Sequence, residues 1–192
     1  MEYHKDLQLL FFPTFELWLE WLEENHSQPQ GIWLKFAKKA SGIQSITYEE
    51  AREGALMYGW IDGLKNGLDE TYYTLRFTPR LPKGVWSKIN REIALGLIRD
   101  GKMKPAGLRQ VEAAQKDGRF EAAYDSQSTI HVPDDFKLAL EKSPAAAEFF
   151  ATLKGSNRYA FLYRIQTAKK PETRASRIEK FIEMLESGDT FY

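Results

Sequence analysis

The chain has 192 residues, with 27 Lys/Arg against 27 Asp/Glu, 43% hydrophobic and 14% aromatic content, five Trp and no Cys. That composition builds a packed core and excludes a disordered chain. The absence of Cys excludes disulfides, thiolate zinc sites, iron–sulfur centres and a Cys nucleophile, and fits a reducing cytosol.

In chain order, Leu9-Leu10-Phe11-Phe12 is an apolar run of four residues ended by Pro13. It is far short of the ~20 residues a membrane span needs, and no secretion-type cleavage site follows it, so a cytoplasmic protein is expected. Thr14 is placed to cap a helix whose stripe is Phe15, Trp18, Leu19 and Leu22, widened by Leu17 and Trp21 so that more than one side is buried. Residues 31–38 alternate, with Ile32, Leu34 and Phe36 on one face and Trp33 and Lys35 on the other, which predicts a strand. Thr47 and Glu50 form a capping box. The helix they open puts Ala51, Gly54, Ala55 and Tyr58 on one face and stops at Gly59.

Residues 60–63 read as a short strand, 65–69 as a turn signalled by Asn66-Gly67, and 70–77 as the returning strand. That strand alternates Tyr73, Leu75 and Phe77 with Tyr72, Thr74 and Arg76. Two prolines predict a loop over 78–84, and a helix begins at Trp86 or Ser87 with Ile89, Ile93 and Leu97 inward. Pro105 starts a helix that runs to Gly118. Residues 118–132 lack periodicity; beyond them, helices open at Pro133, Pro144, Ser156 and Pro171. The expected fold is α+β, a small antiparallel sheet packed by helices and followed by a helical C-terminal unit. The expected parts are 1–118, a linker loop at 119–132, and 133–192.

The polar residues that such a core does not require cluster at Trp60, Asp62, Arg76, Arg80, Trp86, Ser87 and Asn90. Two guanidinium groups beside indoles suit a carboxylate or phosphate, and the indoles could stack on a ring. Asp62 is either a general base, a partner for Arg76 or Arg80, or a structural ion pair at a turn. Ser87 is either a helix cap or one wall of an anion site at a helix start. Arg174 and Arg177, one turn apart, either join the same site or bridge to acids elsewhere.

Nine Lys/Arg against two acids in 76–109 give +7, and eight against two in 154–180 give +6. These blocks are either one positive surface or ordinary solvated helix faces. The neutral total and the lack of a reader motif argue against nucleic acid. Three scattered His offer no metal spacing, and neither phosphate-binding glycine fingerprint is present, so no cofactor or metal is expected.

Three C-terminal stretches carry a resemblance. They are Val132-Pro133-Asp134-Asp135 with Ala139-Leu140, Ala147-Glu148-Phe149-Phe150, and the run from Thr167-Ala168-Lys169-Lys170-Pro171 through Glu179-Lys180. They resemble the bacteriocin-protection, YdeI or OmpD-associated family. The strings 59–63, 76–80 and 86–90 resemble the N-terminal half of longer members, so the likeness runs from about Pro13 to about Gly188. It implies protection against bacteriocins or antimicrobial peptides and association with a porin, and it assigns no catalytic residue. The function expected is therefore a cytoplasmic binding protein for an anionic small molecule or partner in stress or antimicrobial-peptide tolerance. The alternatives are a hydrolase- or transferase-like enzyme using Asp62 with Arg76 and Arg80, and a nucleic-acid or protein-docking module.

Overall fold

The structure is a computed structural model that describes residues 2–192. Two compact units divide it, residues 2–86 with 90–122, and residues 87–89 with 123–192. The first holds strands β1 (Glu2–His4), β2 (Leu7–Phe11), β3 (Ile32–Ala37), β4 (Trp60–Gly67) and β5 (Tyr72–Pro79), in sheet order β1-β2-β3-β5-β4. With them lie helices α1 (Phe15–Asn25), α2 (Tyr48–Met57), most of α3 (Lys88–Arg99) and α4 (Pro105–Lys116). The fold is α+β, a five-stranded sheet with helices followed by a helical region.

The sheet is mixed rather than wholly antiparallel. β2 pairs parallel with β3, because α1 is the crossover between them. The Leu9–Phe12 run forms most of β2, and it carried no strand signal because its apolar residues do not alternate. β1 folds back on β2 through Lys5 and Asp6, both at positive φ (46° and 65°), a two-residue turn without the usual Asn-Gly or Asp-Gly.

β4 runs on through Asn66-Gly67, which pair with Thr74 and Tyr73, so that dipeptide is strand and not turn. The turn follows it, where the Asp69 carboxylate accepts from the Thr71 and Tyr72 amides, each at 2.7 Å. A bulge between Asp62 and Lys65 absorbs the extra length. β5 likewise extends through Thr78 and Pro79, which pair with Ile61 and Trp60 at the sheet's edge.

One face of the sheet is buried under α1 and α2. Ile32, Leu34, Phe36, Leu75 and Phe77 point into it. The capping box of Thr47 and Glu50 starts α2, and Gly59 follows its end at φ +77°. α1 buries only Trp18 and Leu22; Leu17 is exposed, so this helix is one-sided. α3 turns Asn90, Ala94 and Leu97 inward and Ile89 outward, one residue away from the face expected for its first turn.

The second unit is made of α5 (Asp134–Glu141), α6 (Pro144–Thr152), α7 (Gly155–Gln166) and α8 (Pro171–Glu186). Its core is Phe136, Phe150, Phe161, Ile165, Phe181 and Leu185, with Phe161 edge-on to Phe181 at 5.3 Å. α7 starts at Gly155 rather than after Ser156, with Gly155 at φ +55° making the turn into it and no side chain capping its start.

Two helical glycines differ in what a methyl group would meet. At Gly54 it would lie 2.7 Å from Trp18 Nε1, whereas at Gly96 the nearest atom is 3.9 Å away. Gly96→Ala should stabilise by about 1 kcal/mol through helix propensity. Gly54→Ala gains the same amount but overpacks a rigid indole at a cost of about 1–3 kcal/mol, a net loss. Urea unfolding followed by tryptophan fluorescence reads this directly, since all five Trp lie in the first unit. Equal midpoints for the two variants would contradict the packing.

Candidate functional site

β3 and β5 are paired with Trp33 opposite Arg76 and Lys35 opposite Thr74. Because these positions alternate with the core residues, they face the side of the sheet away from α1 and α2. Arg76 is exposed and makes no hydrogen bond or ion pair with any described residue. It lines a cavity of about 540 Å³ together with Leu7, Gly31, Leu64, Thr78 and Leu81.

Beside it lie polar groups that are buried without partners. Trp33 is 3% exposed and its Nε1 donor has no acceptor; Thr74 is fully buried and its Oγ1 is equally unmatched. Such groups are uncommon in folded proteins. His4 stands edge-on to Trp33 at 5.0 Å, and the Lys5 ammonium lies 5.6 Å from the centre of the same ring. Lys35 crosses Tyr72 at 5.0 Å and pairs with Glu2 at 3.1 Å. This face is therefore cationic and aromatic.

The other residues of the expected cluster lie elsewhere. Asp62 is opposite Phe77, hence on the helix-covered face, where Tyr48 donates to it at 2.8 Å. Burial and that hydrogen bond push the Tyr48 hydroxyl up to about 12. Trp60 is a core residue that donates Nε1 to the His26 carbonyl at 2.8 Å. Arg80 is 6% exposed; its guanidinium lies 3.8 Å from the Trp86 ring and donates to the Val85 carbonyl at 2.8 Å. Trp86 itself packs on Phe120, and Asn90 is buried at the start of α3.

Within the second unit, Ser87 bridges to Tyr124 in a single parallel pairing. Lys88 binds the Asp125 carboxylate at 2.7 Å, and Gln166 donates to that carboxylate at 2.6 Å. Burial opposes the charge on Asp125, but these two bonds outweigh it and hold the carboxyl below its ordinary value. Arg174 grips Asp135 with two bonds, of 2.6 and 2.8 Å, and donates to the Ile165 carbonyl as well. Arg177 donates to the Arg164 carbonyl. Arg174 also borders an 850 Å³ groove between α5 and α8.

Of the named residues, then, Asp62 and Arg76 point to opposite faces of one sheet, and Arg80, Arg174 and Arg177 each hold internal acceptors. No group of three or more metal-ligating side chains occurs among the described residues.

Residues 10–110 match the family described as a domain of unknown function (DUF8412), and residues 129–188 match the one described as Bacteriocin-protection, YdeI or OmpD-Associated. The chain belongs to the first family and carries a domain of the second. No curated protein and no solved structure matches it. The bacteriocin-protection domain covers the second unit's four helices, whereas the 59–63, 76–80 and 86–90 strings fall in the DUF8412 domain. No helix among the described residues is long and apolar enough to cross a membrane.

Sequence reasoning missed Trp33, Thr74 and Tyr48 as polar actors. An indole at the outward position of an alternating strand was the one available signal for Trp33. Nothing local singles out a threonine whose hydroxyl ends up buried, or a tyrosine that reaches Asp62 from another element.

Arg174 holds the Asp135 carboxyl below its usual 3.8. Its contribution to stability is therefore complete above that value and is lost as pH falls through the lowered one. Asp135→Asn should melt earlier than the parent at pH 7, and the gap should close toward pH 2. Calorimetry of the second unit's transition checks this, and a gap constant with pH would contradict the ion pair.

Proposed function

We propose that this chain is a binding protein rather than an enzyme, and that it takes an anionic group of a small molecule or protein partner on the outer sheet face at Arg76. The observation that carries the reading is a solvent-exposed guanidinium without an internal acceptor, set next to buried donors without partners at Trp33 and Thr74. A carboxylate or phosphate there would accept from Arg76 and from the Trp33 indole, with Lys5 adding positive field.

An acid–base reading finds less support. Asp62 is held by Tyr48 on the other face, so it has no access to a ligand seated at Arg76. A nucleic-acid reading is weakened by local neutralisation. Lys88, Arg91, Arg99 and Lys104 of the first basic block each contact a carboxylate. The family description of residues 129–188 names bacteriocin protection, which favours bacteriocin tolerance as the setting. The lack of Cys supports a reducing, cytoplasmic location.

Inorganic pyrophosphate and citrate, titrated into isotope-labelled protein, should shift the Trp33 indole N–H resonance with saturation. Arg76→Ala should weaken that response about tenfold or more, since a hydrogen bond to a charged group contributes about 1.5–3 kcal/mol, and should leave the rest of the spectrum unchanged. No saturable shift with either anion, or one indifferent to Arg76→Ala, would remove the site.

A further inference from the structure

We infer that the groove between α5 and α8 is a docking site for an amphipathic helix of a partner protein, one whose apolar stripe is flanked by Lys or Arg. The floor is apolar, and no described residue covers it. It is built by Leu138, Ala139, Ala175, Ile178 and Ile182, and Leu138 is 58% exposed. Isolated exposed leucines are ordinary, but one that continues an apolar trough of about 850 Å³ is not isolated.

The dimensions suit a helix. The lining residues of α8 recur every three or four positions along its 16 residues, a length of roughly 24 Å at 1.5 Å per residue. Small residues at Ala139 and Ala175 let a third helix approach the two already present. Apolar contacts at such spacing are how a helix is read in a groove.

Charge selects the partner. Asp135 and Arg174 neutralise each other through their paired bonds. The remaining rim is Glu179, Glu183 and Glu186 against Lys142, and Glu186 also accepts from Ser143 at 2.6 Å. The three carboxylates all stand on α8, so one side of the trough is acidic. A basic flank complements it, and an acidic one would be repelled.

The test uses the full chain and a synthetic four-turn helical peptide of Leu and Lys, with a Leu and Glu peptide of the same pattern as its counterpart. Calorimetry should show saturable one-to-one binding of the first peptide and none of the second. Glu179→Lys with Glu183→Lys should weaken binding about tenfold or more, through like-charge repulsion across the interface. Ala175→Tyr leaves the charge unchanged and fills the trough, so it should abolish binding while circular dichroism and melting temperature stay at parent values. Binding that survives Ala175→Tyr is surface charge attraction and overturns the inference, as does no binding at all. Concentration-dependent self-association lost in Ala175→Tyr would name a second copy as occupant and overturn it too. The anion site at Arg76 is unaffected by these variants, so the two readings fail separately.

Discussion

The first unit depends on one buried indole. Trp18 has no exposed surface, and it reaches that state by donating Nε1 to the Ala51 carbonyl at 3.1 Å and by lying where Gly54 has no side chain. An indole brings a large apolar surface and one donor, and burying it costs less when the donor is matched. The α2 backbone provides both the acceptor and the space. Trp18 then stacks on Trp21 at 5.5 Å and meets Phe77 edge-on at 5.8 Å, and Trp21 meets Trp60 at 5.8 Å. These contacts fix α1 and α2 on one side of β5. The alternation of β5 then fixes which of its residues must face the other way, so Arg76 stands outward because Phe77 is held inward.

Elements with a regular period and a local punctuation mark were legible in the sequence. Thr47 and Glu50, Gly59, Pro105, Pro144 and Pro171 mark helix ends by local chemistry, and each does so in the structure. β3 was legible because it alternates. β1 and β2 were not, since one is three residues long and the other loses its alternation at Leu9-Leu10-Phe11; β2 takes its identity from its pairing with the distant β3, and β1 from folding back on β2. The Asn66-Gly67 signal misled for a related reason. The bulge at Gly63-Leu64 lengthens β4, and the Asp69 side chain supplies the turn just beyond that dipeptide.

The candidate site was less legible than the fold. Sequence places Asp62, Arg76 and Arg80 within 19 residues, yet a strand separates its neighbours by side and not by distance. Arg76 and Phe77 are adjacent in the chain and opposite in space, and Asp62 follows Phe77 because the two are paired. Arg80 leaves the sheet and folds over Trp86, a use of guanidinium and indole that the same residue types would equally make in a ligand site. Residue type alone does not distinguish the two uses. What distinguishes them is whether the guanidinium N–H groups end on acceptors inside the protein.

That criterion applies to the basic blocks as a whole. In the first, Arg91 and Arg99 each contact the acid next to them in the chain, and Lys104 reaches Glu23. In the second, Arg158 and Arg164 lie over Phe150 and Phe191 and donate to backbone carbonyls, as Arg174 and Arg177 do. The arginines of the helical unit thus act largely as donors that satisfy carbonyls near helix ends, where the backbone leaves acceptors unmatched. Linear charge density therefore overstates the positive surface. The acidic outer stripe of α8, unremarkable in a block that counts +6, becomes the prominent electrostatic feature of its groove, because the nearby cation Arg174 is already bound to Asp135. A net sum over sequence and the field at a surface are different quantities, and a partner responds to the second.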